Sequence, residues 1–142
     1  MGIQSGSDSR TLTNNASAVV VLSCPEYTGL ALEGQGLGLR ISVDLTAKSS
    51  NGLQSPTCTV KLQSRKKPSG GSYGSWTDEA TETLAIGLAA TNDDEREGGI
   101  EHFINNPTSA FESCEVQVIA SCAGGNVVLN SEWVIDDPVA GR

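Results

Sequence analysis

His102 is the one histidine, Cys24, Cys58, Cys114 and Cys122 are the thiols, and seventeen carboxylates stand against nine Lys and Arg side chains. Any chemistry in this chain has to be built from these groups. A Ser-His-Asp relay needs only one histidine, so arithmetic does not forbid it. No Gly-x-Ser-x-Gly elbow accompanies His102, however, and with Phe103 and Ile104 beside it the residue reads as part of an edge strand. Glycoside hydrolysis needs two carboxylates facing each other in a cleft. Here they gather in polar runs (Asp93, Asp94 and Glu95; Asp136 and Asp137) that read as solvated loops. A calcium site in the acidic run that also contains Asn92 and Glu97 would lack EF-hand spacing. No P-loop, dinucleotide fingerprint or metal-ligand spacing is present. No catalytic, cofactor-binding or metal-ligating residue is assigned, and the protein is expected to be neither an enzyme nor a cofactor carrier.

Cys114 and Cys122 lie on one alternating run, roughly 26 Å apart by strand rise, and cannot bridge each other. All four cysteines fall on inward positions. Buried free thiols are expected, with a bridge from Cys24 across the core as the alternative. Zinc is not expected, because no Cys-x-x-Cys knuckle occurs.

The formal charge is −8, which repels nucleic-acid backbones and anionic membranes, so neither is an expected partner. The only basic cluster is Arg65-Lys66-Lys67. It reads as a solvated loop and is kept as a candidate partner contact. No apolar run is long enough to span a bilayer as a helix. The N-terminus lacks the charged and apolar regions of a secretory signal, so synthesis in the cytoplasm is expected. Gly6 stands where a myristoylation signal wants Ser or Thr, and the sequon Asn15-Ala16-Ser17 reads as chance.

The elements that would position these groups are strands. In residues 39–48 every second side chain is apolar (Leu39, Ile41, Val43, Leu45, Ala47), and residues 57–65 and 114–122 repeat the pattern. Residues 17–24 are rich in valine and read as a strand covered on both faces. Leu30-Ala31-Leu32 reads as a brief strand, and residues 79–90 are ambiguous between helix and strand, with strand favoured. Residues 39–48 and 57–65 are expected to pair antiparallel through the Asn51-Gly52 turn. Residues 114–123 and 127–135 are expected to form a hairpin through Gly124-Gly125, with Val116 opposite Trp133. Trp76 is expected to plug one end of the core.

Residues 1–15 hold only Ile3 and Leu12 as sizeable apolar groups. They are expected to form an extended N-terminal arm outside the domain, laid across a neighbouring subunit, with Ile3, Gln4, Arg10 and Leu12 as its contacts. The organisation predicted is an arm over 1–15 and one domain over 16–142. The fold class is all-β: an antiparallel β-sandwich, Ig-like or jelly-roll-like, of about seven to eight strands.

Three stretches carry a family likeness. They are residues 41–47 (Ile-Ser-Val-Asp-Leu-Thr-Ala), Ser55-Pro56-Thr57 leading through Leu62 to Gln63-Ser64, and Gly74-Ser75-Trp76-Thr77-Asp78. Asn106-Pro107-Thr108 through Phe111 looks like a weaker second copy of the Ser-Pro-Thr stretch. Together these span residues 39–123 and resemble small β-sandwich virion proteins of tailed bacteriophages. The chain departs from that pattern at Arg65-Lys66-Lys67, at the longer loop after it, and at Glu101-His102-Phe103. The resemblance implies a structural virion protein, foremost a head decoration or cement protein, made in the host cytoplasm. It would sit on the capsid surface, bind the major capsid protein or other virion subunits, and self-associate on the particle. A tail, neck or fibre component is the second reading. A free-standing carbohydrate-binding or adhesin module is the third. That class binds sugars on exposed aromatics, whereas Trp76, Trp133 and Phe111 are assigned here to the core.

Overall fold

The computed structural model describes residues 3–24, 26–28, 38–51, 54–87, 95–106 and 110–136. The segments at 30–32, 52–53, 88–94, 107–109 and 137–142, on which some of the sequence readings fall, lie outside the described residues. Eight strands follow one another: β1 (Ile3–Leu12), β2 (Val19–Ser23), β3 (Leu39–Ser49), β4 (Thr57–Lys67), β5 (Thr77–Ala85), β6 (Glu95–Ile104), β7 (Ser113–Ala123) and β8 (Val127–Asp136). They form two four-stranded sheets, a front sheet in the order β1-β8-β3-β6 and a back sheet in the order β2-β7-β4-β5. Every pairing between these strands is antiparallel. Only the β4–β5 connection joins neighbours within a sheet; every other connection crosses from one sheet to the other. That double Greek-key order is a jelly roll, and it excludes the Ig-like alternative. The ambiguous segment at 79–90 is strand through Ala85.

The core lies between the sheets and is built by alternation. Leu39, Ile41, Val43, Leu45 and Ala47 point into it from β3. Cys58, Val60 and Leu62 come from β4, Val116, Val118 and Ala120 from β7, and Val127, Leu129 and Ile135 from β8; all are buried. Trp133 and Phe111 are buried, as expected.

Both expected hairpins are absent. β3 and β4 belong to different sheets, as do β7 and β8, so Val116 is not beside Trp133 but pairs with Ser64, while Trp133 pairs with Val43 and Gly6. The physical reason is that a wholly apolar face fits two situations equally well. It suits two strands sharing one face of a sheet, and it suits two strands facing each other across a sandwich. Gly124 and Gly125, at φ 86° and 149°, carry the chain across the end of the sandwich rather than around a tight hairpin.

The segment read as an arm is part of the sandwich. Ile3–Leu12 is the edge strand β1, registered with β8 along all ten residues. What the composition did not reveal is that the ordering comes from a backbone ladder rather than apolar burial. Two side-chain fits add to it. Leu12 is buried in the core, and Gly6 lies so close under the Trp133 indole that a Cβ there would sit 2.6 Å from Nε1.

β2 is likewise not covered on both faces. It is an edge strand with an irregularity between Val20 and Leu22; Val21 and Leu22 are buried, whereas Val19 and Val20 are exposed. On the opposite side, the β5 and β6 edges close together. There Gly98 packs against Leu84, and the Gly99 N–H donates to Glu82 Oε2 at 3.3 Å.

Candidate functional site

Strand alternation divides the basic cluster between two faces. On β4, Arg65 and Lys67 point outward from the back sheet, and Lys66 points inward. Arg65 donates from Nε and Nη2 to Glu115 Oε2, at 2.9 and 2.6 Å, across the ladder to β7. Its guanidinium also lies 4.9 Å from the ring centres of both Tyr73 and Trp76, and Lys67 Nζ is 5.4 Å from the Tyr73 ring.

The loop after β4 makes this arrangement possible. Gly70, at φ 74°, occupies the left-handed position of a turn closed by the Gly71 N–H on Pro68 O at 3.0 Å. The Gly74 N–H then returns to Lys66 O at 3.0 Å, which folds the loop back along β4. Tyr73 donates its hydroxyl to Glu26 Oε2; burial first, and that carboxylate second, push its pKa up. Trp76 therefore does not plug the core. It is half-buried on the outer surface, beside a row in which Gln117 donates to Gln63, and Gln63 and Lys61 donate to Asp78. Those two donors hold Asp78 below its ordinary pKa.

Lys66 enters a second, inward cluster. β5 carries an extra residue opposite Leu62 and Gln63, and the extra residue is Glu79. The bulge turns its carboxylate inward, where it accepts from Ser64 Oγ at 2.5 Å and from Lys66 Nζ at 3.2 Å, and meets His102 Nε2 at 2.9 Å. Burial pushes the Glu79 pKa up, but the bonds to Ser64 and His102 and the charge of Lys66 outweigh it and hold the group below its ordinary value. Ser64 donates to the carboxylate, not to the imidazole, so the geometry activates no nucleophile. The cluster ties β4, β5 and β6 together through one carboxylate, and Lys66 Nζ also lies 5.4 Å from the Phe111 ring.

The N-terminal candidates fall elsewhere. Ile3 is placed only by its backbone register, opposite Asp136. Gln4 Oε1 accepts from Tyr27 OH at 3.2 Å, and Leu12 is core. Arg10 forks onto Asp8 at 2.8 and 3.0 Å, and its guanidinium lowers the Asp8 pKa. Arg10 shares a hollow with Ala120 and Ser121, whereas Arg65 bonds Glu115 further along β7, so the two sets of candidates are not brought together.

The four cysteines are buried and unbridged, and burial pushes the Cys24, Cys58 and Cys114 thiols up to about 12.

Sequence reasoning missed Tyr73 and Trp76 as surface residues, because an indole after a glycine-rich loop reads as a plug. The available signal was parity: Arg65 falls on the outward set of β4, and an outward arginine is a natural partner for aromatic rings.

No protein-family model and no curated protein matches this chain. Solved structures do share its fold. The Gx strain of infectious bursal disease virus gives a TM-score of 0.51 at 12% identity, over 99% of this chain and 33% of that one. The VP2 subviral particle of the same virus gives 0.50 at 11% identity, over 95% and 32%. Its T13 viral particle gives 0.52 at 8% identity, over 96% and 32%. The likeness is one of fold. This chain spans about a third of the length of those viral chains.

Proposed function

We propose that this chain is a non-enzymatic structural subunit of a virion, foremost a capsid decoration protein that docks on the major capsid protein lattice and stabilises the head. The observation that carries the reading is the outward cluster of Arg65 against the Tyr73 and Trp76 rings. Trp, Tyr and Arg are the residue types on which protein interfaces concentrate their binding energy. Here the three are held together in a half-buried, pre-ordered group. Pre-ordering reduces the entropy lost on docking. The jelly-roll order and the sequence likeness to phage virion proteins support the same reading, although a fold alone does not decide function. Neither nucleic acid nor membrane is part of the proposal, in keeping with the charge of −8.

Co-sedimentation tests it. Particles of the virus whose genome encodes the chain, stripped of it, are incubated with wild type, W76A and R65E. Wild type should pellet at a fixed stoichiometry and both variants should bind about tenfold more weakly or worse. A wild type that stays in the supernatant, or variants that pellet equally well, would contradict the proposal.

One observation favours a second reading, a glycan-binding module. Trp76 and Tyr73 lie on the surface, next to the polar row of Gln63, Gln117 and Asp78. Glycan-array binding abolished by W76A would favour it over capsid docking.

A further inference from the structure

A sandwich of two open sheets has four edges, and three of these are charged. β1 carries Asp8 and Arg10, β5 carries Asp78, Glu79 and Glu82, and β6 carries Glu95, Arg96, Glu97 and Glu101. Charge on an edge is the usual protection against pairing with another chain. β2 has none. Its sequence is Val-Val-Val-Leu-Ser, preceded by Ser17 and Ala18, and Val19 and Val20 are 40% and 44% exposed. β2 pairs with β7 on one side; among the described residues no strand pairs with its other side.

A hollow of about 150 Å³ toward β1 borders this edge, with Arg10, Leu12, Ala16, Ser17, Val19 and Ala120 in its lining. Side chains of an added strand alternate between the two sides of the sheet, so a strand laid along β2 would turn one set toward this hollow and set the other beside the exposed Val20 on the outer face.

We propose that the β2 edge is a self-association surface, where β2 of a second copy adds antiparallel and joins the two back sheets into one eight-stranded sheet. Charge selects the second copy as occupant. The chain carries −8, so two copies repel wherever carboxylates meet, and β2 is the edge along which they can approach without that cost. An antiparallel pair about a two-fold axis also presents the same valines to each other, which makes the contact self-complementary. The contact is short, so the dimer is weak in dilute solution and gains strength when many copies are held at high local concentration. This inference does not rest on the docking surface around Trp76.

The test uses the full chain with three substitutions at exposed valines. In sedimentation velocity, wild type should show a concentration-dependent dimer, and V20K should weaken it about tenfold or more while keeping its thermal transition. The four native thiols are buried, so V20C should give a cross-linked dimer with a short bis-maleimide. V134C, exposed to the same 44% on the outer face of the front sheet, should not. Wild type that is monomeric at every concentration, a V20K dimer as tight as wild type, or equal cross-linking through V134C would each overturn the proposal. If V20K does not fold, the V20C and V134C comparison decides alone.

Discussion

Ser131 interrupts the apolar face of β8 with a fully buried hydroxyl that has no hydrogen-bond partner among the described residues. An unsatisfied buried polar group costs about 1–3 kcal/mol. Ser131→Ala removes the cost and almost no volume, so it should raise stability by about 1 kcal/mol in urea unfolding. A destabilised variant would mean that the hydroxyl has a partner after all.

Glu79 makes the opposite case, a part-buried carboxylate with three partners. Because its folded pKa lies below the unfolded one, its contribution is fully present above the unfolded value, near 4.5, and is lost as pH falls through the folded value. Glu79→Gln should cost about 1–3 kcal/mol at pH 7, and the gap from wild type should narrow on acidification below the unfolded pKa. Stability curves at several pH values check the sign directly. The cysteines add a kinetic check. With thiols buried and held protonated by that burial, none should react with a maleimide in the native protein, and all four should react after denaturation.

At the scale of the strand, β1 is the element most at odds with its composition. It is held by its ladder to β8, by Leu12, and by the flat contact between Gly6 and Trp133. Gly6→Val would drive a side chain into the indole and should cost about 1–3 kcal/mol. The amides of β1 should then exchange faster than those of β3, and unchanged β1 protection would show that the indole can move aside. Deleting residues 2–14 should lower the melting temperature, because the deletion uncovers the β8 edge and the core around Leu12. The period-two pattern of β3, β4 and β7 was legible because one face of each is buried and the other wet. Sheet membership was not legible. Ala120 and Leu129 look like neighbours in a hairpin, yet one lies in the back sheet and the other in the front. Alternation reports which way a side chain points, not which strand lies beside it. The Glu79 bulge was invisible for a related reason, since one added residue inverts parity without changing composition.

The two outer faces of the whole molecule differ. On the back sheet, carboxylates meet cations: Glu115 with Arg65, and Asp78 with Lys61. On the front sheet, Asp44 stands directly opposite Glu132 in the ladder and Glu101 shares that face, while Arg40 stands opposite Asp136 and Lys48 opposite Glu95. The like charges placed side by side at Asp44 and Glu132 leave that part of the face repelling other acidic surfaces. The balanced, aromatic back face is the one suited to contact. Of the candidate contacts, Arg65 and Lys67 were legible from the sequence as a basic cluster. Tyr73 and Trp76 were not, because their place depends on a loop turning at Gly70 and returning to Lys66. The most direct test of the proposed docking is a cryo-electron-microscopy reconstruction of the virus particles proposed to carry this chain. The reconstruction should show an eight-stranded jelly roll on the outside of the shell, with Arg65, Tyr73 and Trp76 turned toward the capsid lattice. Particles lacking the chain, or attached to it through the acidic front face, would contradict the proposed docking.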